Sequence, residues 1–170
     1  MKNQKSKIKN HTSIGGFSLI EVLIATVLIG LSIAALVAAN GSFSRANATG
    51  ADLSTAEFLA EQIRELTTML PVADPGGTSW TTFGPEEASL AGYDDVDDFD
   101  NATCSPPITA SRAPLNDLAG FSQQVIVQNV SSSNFDTVAA DRLTPFVRVT
   151  VNILQNGRPI SSASWIRARY

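Results

Sequence analysis

The spacing of apolar residues changes along the chain. From Phe17 to Ala39 there are 23 residues with one charge among them, that of Glu21. Such a run is long enough to cross about 30 Å of hydrocarbon as a helix. Beyond Ala39 the apolar residues recur at three-, four- and seven-residue steps, and no proline occurs before Pro71. The pattern therefore predicts one helix of about fifty residues, with an amphipathic second half over 40–70. Its apolar stripe would comprise Phe43, Ala46, Leu53, Leu59, Ile63, Leu66 and Leu70.

The remainder of the chain predicts a small sheet. Residues 71–120 are rich in Gly, Pro, Ser, Thr and Asp and are typical of loops with short elements. Strands are expected at 121–130 and 144–154, and Asn156-Gly157 predicts a two-residue hairpin turn into a third strand over 160–169. One face of the second strand would carry Val147, Val149, Val151 and Ile153. The fold class predicted is α+β, with a long N-terminal helix packed against a three-stranded antiparallel sheet.

Charge is distributed unevenly between the two ends of the chain. All four lysines lie within the first ten residues and no acid precedes Glu21, whereas eight arginines face sixteen acids from Phe17 onward. Lysines directly before an apolar span predict that the N-terminus stays cytoplasmic and that the rest is exported. The acidic body would repel phosphate backbones, so nucleic-acid binding is not expected.

The inventory of reactive side chains is small. Cys104 is the only cysteine and His11 the only histidine. An intrachain disulfide, a zinc site and a histidine-based catalytic triad are therefore excluded, and the chain is not expected to be an enzyme. Cys104 itself fits either a buried thiol or one that pairs between subunits.

An acidic run is the one candidate metal site. Five carboxylates fall within seven residues, and calcium prefers six to eight hard oxygen ligands. The EF-hand spacing is absent, and a solvated acidic surface also fits the run. No other cofactor is expected, and the candidate calcium ligands are Asp94, Asp95, Asp97, Asp98 and Asp100.

The stretch GGFSLIEVLIATVLIG (Gly15–Gly30) resembles the prepilin cleavage and methylation motif of type IV pilins and type II secretion pseudopilins. A secretory signal has a shorter apolar run with small residues after it, whereas here Gly15 and Gly16 come before it. The resemblance implies that prepilin peptidase cuts after Gly16 and methylates the new amino group of Phe17. Residues 1–16 would then be a removed leader, 17–39 a transmembrane half-helix, 40–70 its exported half and 71–170 a globular region.

The same resemblance implies partners and a location. The mature subunit would wait in the inner membrane with its C-terminal domain in the periplasm. An inner-membrane assembly platform would then move it into a filament of other pilin or pseudopilin subunits. Glu21, the fifth mature residue, would direct assembly by attracting the amino terminus of a neighbouring subunit. A carboxylate in a membrane segment costs at least about 2.5 kcal/mol, so such a purpose is expected of it.

Two local stretches indicate which kind of pilin the chain resembles. AEFLAEQIREL (Ala56–Leu66) is similar to the exported helix of minor pilins and of the I-type minor pseudopilin. YDDVDDFDN (Tyr93–Asn101) is similar to a block in minor pilins of the mannose-sensitive haemagglutinin type. Ala38 stands where major pilins commonly have a proline. The expected function is a minor type IV pilin-like subunit; a minor pseudopilin and a pilus-borne adhesin are the alternatives.

Overall fold

The computed structural model describes residues 15–74 and 83–169. The chain divides into two compact units, Met1–Asn47 and Ala48–Tyr170, and helix α1 (Leu19–Thr68) runs through both. Four antiparallel strands follow the helix. The α+β class predicted from the pattern is therefore confirmed, as is the single long helix. The four lysines of the expected leader lie outside the described residues.

In the first unit, α1 is apolar and exposed on every side. Each of its residues up to Ala51 is exposed, and Leu36 and Val37 keep more than 60% of their surface accessible. Side-chain hydroxyl groups in this half donate hydrogen bonds to backbone carbonyls of the same helix. Thr26 Oγ1 donates to the Leu23 carbonyl at 2.9 Å, and Ser32 Oγ donates to the Leu28 carbonyl at 2.8 Å. Such local bonds leave little polar surface for water to solvate.

The second unit contains a meander in the order β1-β2-β3-β4. Its strands are β1 (Thr103–Cys104), β2 (Phe121–Asn129), β3 (Phe146–Gln155) and β4 (Arg158–Ala168). The last three are the predicted strands, shifted at their ends by one or two residues. β1 adds a fourth strand to the three expected, and its two residues are too few to show an alternating pattern.

The hairpin between β3 and β4 forms where the sequence predicts it. Gln155 pairs with Arg158, so the loop consists of Asn156 and Gly157 alone. Both have positive φ, 50° and 77°, which the mirror-image hairpin turn requires and which Asn and Gly tolerate. The register of the pairing between β3 and β4 shifts between Ile153 and Leu154.

The core lies between the second half of α1 and one face of the sheet. Leu59, Ile63 and Leu66 are buried at helical spacing. They face a sheet surface on which alternate residues of the two central strands are buried: Val125, Val127, Val147, Val149, Val151 and Ile153. Packing begins at Ala56, so the predicted stripe is wrong at its N-terminal end, where Phe43, Ala46 and Leu53 are exposed.

Arg167 of β4 stabilises the end of α1. Its guanidinium donates hydrogen bonds to the carbonyls of Thr67 and Leu70, the latter at 3.0 Å. The last turn of the helix carries no basic residue of its own. A distant arginine therefore neutralises the negative end of the helix dipole, and Pro71 prevents its continuation.

Candidate functional site

The predicted cleavage segment is an exposed lead into the helix. Gly15 to Ser18 are not helical, and Phe17 is 83% exposed. A Cβ atom at Gly15 or Gly16 would meet nothing within 4 Å. The segment is thus accessible from all sides in the single chain, and neither glycine is required there by packing.

Ser18 caps the N-terminus of α1. Its Oγ accepts a hydrogen bond from the Glu21 N–H at 3.2 Å, and its carbonyl accepts one from Val22 N–H at 3.2 Å. Ser18 and Glu21 have the Ser-x-x-Glu spacing of a capping box. An acid in the first turn also interacts favourably with the helix dipole. The spacing is visible in the sequence, although the resemblance to prepilins points only to an assembly role for Glu21.

Among the described residues, α1 is the one helix long and apolar enough to cross a membrane. This statement rests on the length and composition of the helix alone, and it applies to the half of α1 that precedes the packed core. Glu21 is the only ionisable residue between Phe17 and Ser44. The N-terminal candidate site therefore consists of an accessible Gly-Phe bond, a capped helix start and one exposed carboxylate.

The acidic run forms a second candidate site, and most of it is buried. Asp95, Asp97 and Asp98 have between 0 and 1% of their surface exposed. Of the two interpretations of the run, a calcium site and a solvated acidic surface, the second does not describe these three residues. A short 3₁₀ helix, Asp97–Phe99, forms within the run, and both Phe99 and the residue that precedes the helix, Val96, are fully buried in the core. Burial of these apolar neighbours holds the carboxylates beneath the surface.

Backbone N–H groups fix two of the carboxylates. Asp98 Oδ2 accepts bonds from the N–H groups of Asp94 at 2.8 Å and Asp95 at 3.2 Å. Asp95 Oδ1 accepts bonds from the N–H groups of Asp97 at 2.8 Å and Asp98 at 3.1 Å. Asp94, Asp95 and Asp98 offer carboxylate oxygens within 4.8 Å of one another.

The other two predicted calcium ligands have different partners. Asp97 Oδ2 lies 2.6 Å from the guanidinium of Arg142, an ion pair by distance although its angle is poor for a hydrogen bond. Asp100 Oδ1 accepts the N–H of Val127 at 2.9 Å, and its Oδ2 accepts from Asn101 Nδ2 at 2.7 Å. Asp100 thereby extends the pairing of β2 beyond the end of β1.

Two glutamates that the sequence reasoning did not include approach the same cluster. Glu86, Glu87 and Asp98 also offer oxygens within 4.8 Å of one another. Burial, followed by the neighbouring acid Asp98, raises the pKa of both glutamates. Burial, followed by Asp97, raises the pKa of Asp95 to about 8. The glutamates precede the nearest aspartate, Asp94, by seven and eight positions, so their approach depends on the fold of the loop.

Cys104 is a core residue. It lies in β1 with 5% of its surface exposed, and burial raises the pKa of its thiol. A thiol with a raised pKa forms the reactive thiolate less readily. Of the two interpretations of this cysteine, the buried thiol fits the single chain.

Comparisons of the chain with protein-family models, with curated proteins and with solved structures found no match. Function must therefore be inferred from the geometry and chemistry of these residues.

Proposed function

We propose that the chain is a minor type IV pilin-like structural subunit. It is processed by prepilin peptidase, held in the inner membrane by the first half of α1 and then assembled into a filament. The observation that carries the proposal is the order of features at the N-terminus. An accessible Gly16-Phe17 bond, a Ser18 cap and a lone Glu21 directly precede an apolar helix exposed on all sides.

The exposed half of α1 supports an anchoring and then a filament role. A helix that is apolar all round belongs in lipid or among other apolar helices. The same surface serves both, because moving from hydrocarbon tails to neighbouring helices changes the apolar contact little. The second unit buries its own core against the other half of α1, so it requires no lipid. This combination suits a subunit that is first a membrane protein and later part of a fibre.

Glu21 supplies the charge expected to set the register between subunits. Near the start of the span it stays close to the membrane interface while the subunit waits. In a filament core, an unpaired carboxylate would be costly, whereas pairing with the amino group of a neighbouring Phe17 would offset the cost of desolvation. The capping box gives Glu21 a second, local purpose that does not involve assembly.

The processing test compares the N-terminus of the protein made with and without prepilin peptidase. With the enzyme, intact mass and N-terminal sequencing should show a chain that begins at N-methylated Phe17. Gly16→Val should abolish the cut, whereas Gly15→Ala should leave it. Both positions have open space around the α-carbon, so neither variant should disturb the fold. An uncut Gly16-Phe17 bond in cells that contain the peptidase would refute the proposal.

The assembly test separates the charge of Glu21 from its capping role. Gln fits the capping box as Glu does, but it carries no charge. Glu21→Gln should therefore keep the helix and the processing yet remove the subunit from sheared filaments. Ser18→Ala weakens the cap by about 1 kcal/mol and should leave incorporation intact. Normal incorporation of Glu21→Gln would show that capping is its only function.

The alternative, a minor pseudopilin of a type II secretion system, shares these features, including the helix segment Ala56–Leu66, which resembles minor pilins and the I-type pseudopilin alike. Its exposed residues Glu57, Phe58 and Glu61 are open to cross-linking in the single chain. A photoreactive residue at Phe58 would identify the neighbouring subunit. Capture of secretion pseudopilins rather than pilins would replace the pilus assignment with this one.

A further inference from the structure

Among the described residues, five carboxylate oxygens of the acidic cluster are buried without a hydrogen-bond partner: Glu87 Oε2, Asp95 Oδ2, Asp98 Oδ1 and both oxygens of Asp97. Of these, Asp97 Oδ2 has the ion pair with Arg142. Asp95 is 0% exposed and Asp98 is 1% exposed. A buried carboxylate oxygen that lacks a donor is costly, and several close together repel one another as well. Protons shared between the carboxyl groups or a bound cation would each relieve this cost.

The geometry of the cluster matches the coordination sphere of a calcium ion. Ca–O distances are about 2.3–2.6 Å, so two oxygens on opposite sides of one ion lie about 4.6–5.2 Å apart. The oxygens of Glu86, Glu87 and Asp98 lie within 4.8 Å of one another, as do those of Asp94, Asp95 and Asp98. Asp98 belongs to both groups. The donors are all hard carboxylate oxygens, which calcium prefers over softer ligands.

Backbone hydrogen bonds orient the two buried aspartates for such an ion. One oxygen of each, Asp95 Oδ1 and Asp98 Oδ2, is held by two N–H groups. The other oxygen of each is the unpartnered one. Groups that fix the orientation of a ligating carboxylate in this way strengthen a metal site.

The nearby arginines have other described contacts. Arg142 lies against Asp97. Arg112 donates to the carbonyls of Leu90, Ala91 and Tyr93 and lies over the Phe99 ring. These contacts fold the chain around the cluster.

We propose that Asp98 is the central ligand of a calcium site completed by Glu86, Glu87, Asp94 and Asp95. The ion would join residues 86–87 to residues 94–98, which are themselves fixed to the core by Val96, Phe99 and the bond from Val96 N–H to the Pro71 carbonyl. Calcium would thus lock the loop that covers one end of the core. The proposal does not depend on the pilin assignment, since it concerns only residues of the second unit.

Terbium luminescence tests the site in the full-length protein in detergent. Tb³⁺ replaces Ca²⁺ and emits when a nearby tyrosine or tryptophan is excited. Tyr93 directly precedes Asp94, and its ring packs edge-on against that of Phe99 with 5.1 Å between the ring centroids, so an aromatic sensitiser lies in the same short segment as the ligands. We expect saturable emission and competition by Ca²⁺ with a Kd of about 10⁻⁴–10⁻³ M. Tyr93→Phe should reduce the emission and leave the Ca²⁺ affinity unchanged.

Calcium binding by variants of the proposed ligands is compared with binding by a control variant outside the site. Asp98→Asn and Glu87→Gln should each weaken Ca²⁺ binding about tenfold or more. Glu86→Gln, at an exposed position, should also weaken it and keeps the test valid if Asp98→Asn does not fold. Asp117→Asn removes an exposed charge elsewhere and should bind as the wild type does. No saturable binding at millimolar Ca²⁺, or equal losses in Asp117→Asn and Glu87→Gln, would overturn the proposal.

Discussion

Gln123 shows how a buried polar side chain can organise this fold. It is fully buried in β2, and its amide accepts from Ile108 N–H at 2.8 Å and donates to the carbonyls of Leu59 and Ile108. One side chain thereby connects the helix, the loop before β2 and the sheet. The alternation of β2 marks this position as inward-facing, but the sequence alone does not reveal why a glutamine occupies it.

Gln123→Ala should therefore destabilise the protein by about 3 kcal/mol. The substitution leaves the N–H and C=O groups of Ile108 without their Gln123 partner, removes one hydrogen bond from the Leu59 carbonyl and opens a cavity. Urea unfolding of the mature protein in detergent measures the change. Gln124→Ala, one residue along and exposed, should change stability by no more than about 0.5 kcal/mol. Similar losses at the two positions would contradict the assigned network.

Because Cys104 is buried, its thiol should react slowly with alkylating reagents. Folded protein should react with iodoacetamide on the order of a hundredfold more slowly than protein unfolded in urea, because the thiol must first be exposed by opening of the structure. Mass spectrometry of the alkylated protein over time measures both rates. Comparable rates, or recovery of a Cys104-linked dimer from folded protein, would favour the intersubunit role.

The long helix consists of two halves that differ in what they bury. Its length, its stop before Pro71 and the burial of Leu59, Ile63 and Leu66 follow from spacing alone. The exposure of Phe43 and Leu53 does not follow from spacing, because an apolar stripe specifies a face of the helix and not the point along it at which a partner surface begins. Likewise, the acidic run is evident in the sequence. Which of its carboxylates gather around Asp98 and which one pairs with Arg142 depends on long-range folding.

The contact between α1 and the sheet should depend on one side of the helix. Leu59→Ala should cost about 2–5 kcal/mol, because it leaves a cavity among fully buried residues. Phe58→Ala removes a larger side chain that is 48% exposed, and it should cost less than about 1 kcal/mol. Thermal unfolding followed by circular dichroism compares the two variants. A larger loss for Phe58→Ala would contradict the orientation of the helix.

The ion pair between the acidic loop and the β2–β3 connection should be strongly coupled. Arg142→Met leaves Asp97 buried without its cation and should cost about 3 kcal/mol or more. Adding Asp97→Asn should recover part of that loss, so the double-mutant cycle should show a coupling of at least about 1 kcal/mol. Urea unfolding in EDTA keeps bound cations out of the comparison. Arg158→Met, at the exposed hairpin, is the neutral control, and additive losses would argue against the pair.

The chain has one folded core, in the second unit, and one exposed apolar stretch of helix, in the first. All buried hydrophobic residues described lie from Ala56 onward, and none lies in Met1–Asn47. The division lies eight residues beyond Ala39, after which the spacing of apolar residues changes in the sequence. The remaining apolar surface has no partner within the described residues. It is the part of the molecule for which membrane and filament are proposed.

A chain that begins at Ala48 should therefore fold without detergent. It keeps every buried residue of the core, the Arg167 contacts with the end of α1 and the acidic cluster, and it loses the exposed apolar surface that drives aggregation. Circular dichroism should show cooperative unfolding, and size-exclusion chromatography should give a monomer. The control begins at Phe17 and should require detergent for the same monodisperse behaviour. If the shorter chain is unfolded, residues before Ala48 contribute to the stability of the second unit, and the boundary between anchor and folded domain lies further toward the N-terminus.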